Sequence, residues 1–242
     1  MLLISSKMAN NKTKTSIKGF DELIEGGFPR GSTILLSGTP GTGKTIFALE
    51  YLYNGAKTHG EKGIYVTFED KRKNLKAQAK QFGWNLDKLE KDGQIKILSI
   101  PSSSISTSTI REIIQKINQI KAKRIVIDSL STLAINTPST YSHVNEMNEY
   151  TIKRFVYAFT DELRQLKNTT SLLISQVTNE KQLSRDTISE FICDGVINVI
   201  YESMGGEFSR SLMIRKMRQV KHDEDIHPLE ISKKGLVVHR IK

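Results

Sequence analysis

The densest chemistry in the sequence lies in one run, Gly38-Thr39-Pro40-Gly41-Thr42-Gly43-Lys44-Thr45, whose residue types and spacing are those of a phosphate cradle. Its glycines let the backbone curl so that several N–H groups converge on one anion. A helix following the loop would aim the positive end of its dipole at the same point. Lys44 is spaced to reach the β- and γ-phosphates of a nucleotide, and the Thr45 hydroxyl to ligate Mg²⁺. All eight residues are candidate nucleotide contacts.

Such a cradle needs a carboxylate on a second buried strand to hold the metal through water, and Ile125-Val126-Ile127-Asp128 supplies one. A buried strand ending in Asp can also be a plain strand-end cap; it is the pairing with Lys44 and Thr45 that selects Asp128 as a metal residue. Ser129 adds a hydroxyl beside it. Phosphoryl transfer to water further requires a group that orients or deprotonates the water, and Glu69-Asp70 closes another β-rich run. Glu69 is the candidate base; the competing reading makes Glu69 and Asp70 caps of the basic helix that follows. Gln176 ends a further apolar run, either as a sensor of the γ-phosphate or as an ordinary polar strand end.

The elements that must carry these residues follow from periodicity. Short β-rich runs occur at Thr33–Ser37, Gly63–Phe68, Ile95–Ile100, Arg124–Asp128, Ser171–Gln176, Gly195–Tyr201 and Ser211–Met217. Between them, Ile110, Ile113, Ile114, Ile117 and Ile120 form one helical stripe. Ile152, Phe155, Val156, Phe159, Leu163 and Leu166 form another. This alternation predicts an α/β fold, a mostly parallel sheet with helices on both faces. After Gln176 the pattern becomes strands joined at Gly205-Gly206, an antiparallel C-terminal extension of the sheet. Ser102–Thr109 and Thr137–Tyr150 are polar and read as loops. Residues 1–14 read as a flexible tail and 15–242 as one domain, with no linker and no internal repeat.

Composition narrows the class. The 242 residues include one cysteine, Cys193, so no internal disulfide is possible, and the chain is expected to be cytoplasmic. No apolar stretch reaches the ~18 residues of a membrane-spanning helix, so membrane insertion is not expected. The net charge of +10 favours acidic partners such as nucleotides or nucleic acid. Its densest part, Lys71, Arg72, Lys73, Lys76 and Lys80, is interleaved with Leu75, Ala79 and Phe82 at helical spacing, which predicts a solvated helix face.

With these motifs in place, the chain resembles the KaiC-like branch of the RecA/RadA ATPases from Thr15 to Val238. Thr15-Ser16-Ile17-Lys18-Gly19-Phe20-Asp21-Glu22-Leu23 and Gly26-Gly27-Phe28-Pro29-Arg30-Gly31 are similar to the lead-in of that family's phosphate loop. Tyr53-Asn54-Gly55-Ala56 is similar to the end of its first helix. Val66-Thr67-Phe68-Glu69-Asp70 resembles the segment with the family's catalytic carboxylate pair, with Asp70 in place of the second Glu. Ser209-Arg210, Lys216-Met217-Arg218 and His222 resemble the segment that reaches the γ-phosphate bound by a neighbouring subunit. The resemblance implies a RecA-like P-loop fold, ATP with Mg²⁺, hydrolysis, and a homo-oligomeric ring, hexameric in the family's manner, with interfacial ATP sites. Lys216 and Arg218 are two apart, so on a strand they would present two cations ~7 Å apart on one face. The alternatives are a solvated basic edge for these two and a charged loop for His222.

Three outputs fit the resemblance. One is an accessory factor in recombinational repair, weakly bound to single-stranded DNA or to a RadA-type recombinase through the loops Thr137–Tyr150 and Thr178–Glu190. The second is a signalling ATPase without clock-type autophosphorylation, because Glu190-Phe191 stands where the clock protein has its Ser-Thr pair. The third is a nucleotide-gated scaffold. The first loop carries no Lys or Arg and the second only Lys181 and Arg185, so DNA binding is expected to be weak and salt-sensitive.

Overall fold

The computed structural model describes residues 11–136, 149–179, 181–201 and 209–240. In chain order, β1 (Lys12–Thr13) and β2 (Phe28–Pro29) form a small antiparallel ribbon ahead of β3 (Thr33–Gly38). The phosphate loop follows, then α1 (Lys44–His59), β4 (Gly63–Thr67), α2 (Arg72–Gln81), α3 (Leu86–Lys91) and β5 (Ile95–Ser99). Next come α4 (Thr109–Ile120), β6 (Arg124–Asp128), α5 (Leu130–Asn136), α6 (Glu149–Gln165), β7 (Thr170–Gln176) and α7 (Ser189–Ile192). β8 (Gly195–Ile200), β9 (Ser211–Met217), β10 (Ile226–Ser232) and β11 (Gly235–Val238) complete the chain.

Nine strands form one sheet in the order β11-β10-β9-β8-β3-β7-β6-β4-β5. The six from β8 to β5 are parallel, and β9, β10 and β11 extend the sheet antiparallel. Every residue of β3, β4 and β6 is buried, as a sheet covered on both faces requires. Alternation along β3 sends Ile34 and Leu36 to one side and Leu35 to the other. The first side packs on α1, α2 and α3, the second on α4, α5, α6 and α7. This is the α/β, RecA-like architecture expected from the sequence.

The two apolar stripes face the core: Ile113 and Ile117 of α4, and Val156, Phe159 and Leu163 of α6, are buried. On α2, Leu75 and Ala79 are buried while Lys71, Arg72, Lys73 and Lys80 are exposed, so the cationic run is the solvated face anticipated for it.

Three local expectations change. The tail expected to be loose up to residue 14 is held from Asn11 on: Lys12 and Thr13 pair with Pro29 and Phe28, and the Lys14 carbonyl accepts a hydrogen bond from Arg124. The polar stretch from Ser102 holds a 3-10 turn, Ser102–Ser104, and its last residue, Thr109, opens α4. Tyr150 lies within α6. Residues 137–148 of the first polar loop, and Gly205-Gly206, lie outside the described residues.

Candidate functional site: a nucleotide-phosphate cradle at the strand ends

The carboxyl ends of β3, β4, β6 and β7 meet at one edge of the sheet, and register brings the motifs together. Gly38 pairs with Gln176, and Thr67, just before Phe68-Glu69, pairs with Asp128. Ligands bind in this crevice in open α/β sheets.

The loop after β3 needs its glycines. Gly41 and Gly43 have φ of 83° and 102°, a region costly for residues with a Cβ. A Cβ on Gly38 would lie 2.3 Å from the Val199 carbonyl oxygen. The first turn of α1 contains no acidic residue, which leaves its positive dipole end free for an anion. Lys44 is 7% exposed and donates to the carbonyls of Gly38 (2.8 Å) and Thr39 (2.7 Å). Burial lowers its ammonium to a pKa of about 8, against the opposing pull of Asp128 and Glu69. A buried ammonium held by carbonyl dipoles gains a full counter-charge when phosphate arrives. Thr42, also buried, ties the turn by donating to the Thr39 carbonyl at 3.0 Å.

Asp128 closes β6 at 7% exposure, ahead of a cis peptide to Ser129. Its Oδ2 accepts from the Tyr65 hydroxyl at 2.5 Å and faces the Thr45 hydroxyl at 3.4 Å. Burial raises its carboxyl to about 6, countered first by the Tyr65 hydrogen bond. Hydroxyl and carboxylate oxygens side by side are the hard donors Mg²⁺ takes, so the residues fit the metal.

Glu69 is exposed, yet its carboxylate is fixed from three elements. Oε1 accepts from the Ser129 hydroxyl at 2.9 Å and from the Thr132 hydroxyl, and Oε2 from the Gln176 amide at 2.6 Å. At the end of β7, Gln176 thus turns its side-chain amide to Glu69. The helix-cap alternative finds no support in the contacts. α2 begins at Arg72 with Lys71 as N-cap and no side-chain cap, and the Asp70 carboxylate accepts from the Asn74 side chain.

The C-terminal segment divides. Arg210 was grouped with cations that reach a neighbouring subunit, but its Nε donates to the carbonyl of Gly41 in its own loop at 3.1 Å, with the guanidinium stacked 4.7 Å over Tyr201. The cause is topological: β9 runs antiparallel to β8, so its first end returns to the loop edge and its last end lies at the opposite edge. There Lys216 donates to the carbonyls of Glu190, Phe191 and Cys193, and Arg218 to that of Phe191 and to Asp194. Lys216 and Arg218 share a face, as their spacing predicted, and are remote from their own chain's cradle. His222 is half-buried in the β9–β10 connection.

A hollow of about 480 Å³ opens above the loop, lined by Lys44, Thr45, Asp128, Gln176, Gln78 and Arg210 among others. Of the residues at this edge, Tyr65, Thr132 and Gln78 carry no role in the sequence reading, and Arg210 carries one only toward a neighbouring subunit. Tyr65 reads there as an ordinary core aromatic, and nothing in the spacing of Thr132 or Gln78 points to the site.

Fold and cradle together define a P-loop nucleotide-binding protein of the RecA type. The chain belongs to the KaiC family of ATPases, whose profile matches residues 13–242. A UPF0273 protein of Thermotoga maritima is 34% identical, covering 94% of this chain and 96% of its own. The circadian clock oscillator protein KaiC of Parathermosynechococcus lividus is 32% identical over 93% of this chain but only 42% of its own length. Among solved structures, a KaiC-like protein of Pyrococcus horikoshii superposes with a TM-score of 0.82 at 37% identity, covering 95% of this chain and 99% of that one. Among the described residues, no helix is long and apolar enough to cross a membrane.

Proposed function

We infer that the protein is a Mg²⁺-dependent ATPase that works as a homo-oligomeric, hexameric ring. The observation that carries this reading is the carboxylate of Glu69, aimed by Gln176, Ser129 and Thr132 beside the cradle of Lys44, Thr45 and Asp128. In this reading Gly38 to Thr45 hold the phosphates of ATP, Thr45 holds Mg²⁺ directly and Asp128 through water. A metal ion held by these two residues would supply charge neutralisation for the phosphates. Glu69 orients a water for in-line attack and takes its proton at a carboxylate oxygen. Lys44 swings from the carbonyls of Gly38 and Thr39 onto the phosphates. Lys216 and Arg218 act on the γ-phosphate of the neighbouring subunit, with His222 near them, so turnover requires assembly.

The test is steady-state ATP hydrolysis beside nucleotide binding. Glu69→Gln is expected to lower kcat by about 10²- to 10⁴-fold with ATP affinity unchanged; unchanged turnover would remove Glu69 from the chemistry. Arg218→Ala is expected to lose turnover alone but to regain part of it when mixed with Lys44→Ala subunits, since each supplies what the other lacks. Absence of complementation in the mixture rejects the action across subunits.

The output we favour is an accessory factor in recombinational repair with weak affinity for single-stranded DNA. It is supported by Lys181 and Arg185, both exposed on the segment that follows Gln176 at the end of β7. Stimulation of hydrolysis by single-stranded DNA that fades with salt is the expected result. Turnover indifferent to DNA points instead to a signalling ATPase.

A further inference from the structure

The edge of the sheet opposite the cradle carries a basic hollow that the ATPase reading does not use. Three successive connections enter the sheet there: Lys62 before β4, Lys121-Ala122-Lys123 before β6, and Lys167-Asn168-Thr169 before β7. Hydrogen bonds lash them together. The Lys123 amide donates to the Lys62 carbonyl at 2.7 Å, the Thr170 amide to the Lys123 carbonyl at 2.9 Å, and the Thr169 hydroxyl to the Ala122 carbonyl at 3.0 Å. Between α4 and the end of α6 they leave a concavity of about 330 Å³ whose lining includes Lys121, Lys123, Lys167, Asn118, Gln165 and Thr169.

No carboxylate lines this concavity, and among the described residues none of its three lysines forms an ion pair. The contrast is the hollow of about 530 Å³ beside α2, where Lys76 and Arg72 are already engaged by Asp87 and Glu90. The three lysines have no carboxylate partner, only the partial negative charge of two helix C-termini beside Lys121 and Lys167, and an oxyanion seated among them gains their attraction.

Lys121 adds an independent observation. It ends α4 in the left-handed region, φ 55° and ψ 47°, with the Ala122 amide donating to the Ile117 carbonyl at 3.1 Å. Glycine is the residue this helix ending favours, so the ammonium is kept at a position where the backbone would prefer no side chain. Positions that break a local rule in this way are expected to be functional or strained.

We propose that this hollow is a phosphate-chain site, taking consecutive phosphates of a linear polyanion through Lys121, Lys123 and Lys167. Asn118, Gln165 and Thr169 supply neutral hydrogen-bonding groups. No aromatic residue lines the hollow, so bases are not stacked and recognition is indifferent to sequence. A phosphodiester backbone and an inorganic polyphosphate present the same chemistry here. The site goes beyond the ATPase reading, on which only the nucleotide control in its test rests.

The experiment titrates the full chain, its cradle saturated with Mg·ADP, with fluorescein-labelled oligo(dT) and separately with tripolyphosphate as competitor. Binding is expected to fall roughly twentyfold between about 50 and 200 mM salt, because three neutralised phosphates give a slope near −2 on logarithmic axes. Lys121→Gly, Lys123→Gln and Lys167→Gln should each flatten that slope by about 0.7. Retained ADP affinity shows that each variant is folded, and Lys121→Gly should melt no lower than the parent. Competition by tripolyphosphate supports the site with both sources admitted; oligo(dT) binding without competition supports it for nucleic acid only. Tripolyphosphate binding lost in the triple variant, without oligo(dT) binding, supports it for polyphosphate. The proposal is overturned if neither probe binds at low salt, if the triple variant binds like the parent, or if binding is lost instead on Lys181→Gln with Arg185→Gln.

Discussion

Strand β6 begins at Arg124 and ends at Asp128, and its two buried charges are held under opposite regimes. Arg124, with no exposed surface, is fully partnered: Nε donates to Glu61 Oε2, one terminal nitrogen to the Tyr51 carbonyl and the other to that of Lys14, each at 2.8 Å. The guanidinium also lies 4.7 Å from the ring centre of Tyr51. Asp128, four residues further on, has only hydroxyls around its carboxylate, and the cation nearby, Lys44, is turned onto carbonyls. One end of the strand has its electrostatics closed within the chain; the other is left open to a ligand. A buried charge that already has its counter-charge is structural, and one that lacks it is poised for something to bind.

The largest effect that would sharpen this contrast is on Arg124. Arg124→Ala leaves two carbonyls unmet and Glu61 with Arg30 as its remaining cation, and should cost about 3–5 kcal/mol in urea unfolding. Lys44→Ala at the open end should remain within about 1 kcal/mol of the parent while losing nucleotide binding; equal costs at the two ends would break the distinction.

Glu50 is an intermediate case, a buried carboxylate on α1 that accepts from the Leu236 amide at 2.7 Å and packs against Gly235. Burial raises its carboxyl to about 7. Because this is above the ordinary value, the fold favours the protonated form. Its contribution is complete below pH 4.5 and lost as pH rises through 7. Glu50→Gln should therefore gain about 2 kcal/mol at pH 8 and nothing at pH 4, read as a flattened plot of unfolding free energy against pH.

Gly55 is a smaller probe of the closed end. Alanine normally improves a helix interior by about 1 kcal/mol, but a Cβ here would lie 2.3 Å from Arg124 Nε. Gly55→Ala should thus lower stability by about 1–3 kcal/mol, and a gain would show that the arginine network is soft. At the open end, Tyr65→Phe removes a hydrogen bond to Asp128 at a cost of about 1 kcal/mol. Turnover should fall a few-fold with the melting temperature lowered by only about 2–4 °C.

Much of the site is legible because its residues are adjacent in sequence or end buried strands. The run Gly38 to Thr45 specifies its own loop, since the glycines and the lysine act through local backbone geometry. Asp128 and Glu69 could be found because each closes an apolar run. Arg210 reaches its own loop for a reason no local pattern reveals: its partner is the Gly41 carbonyl, 169 positions away, and only the antiparallel return of β9 decides which edge of the sheet it meets. Arg124 was read as the start of a strand, and nothing around it in sequence announces that Glu61, Tyr51 and Lys14 converge on it.

The sequence by itself determined the α/β alternation, the phosphate loop and the strand ends that carry carboxylates, because period, turn chemistry and strand termination are local properties. Tertiary structure alone decided which hydroxyls hold Glu69 and Asp128, that Arg210 serves its own loop while Lys216 and Arg218 lie at the far edge, and that three lysines from two connections share one hollow. These depend on strand order and register, which bring together side chains that chain distance keeps apart.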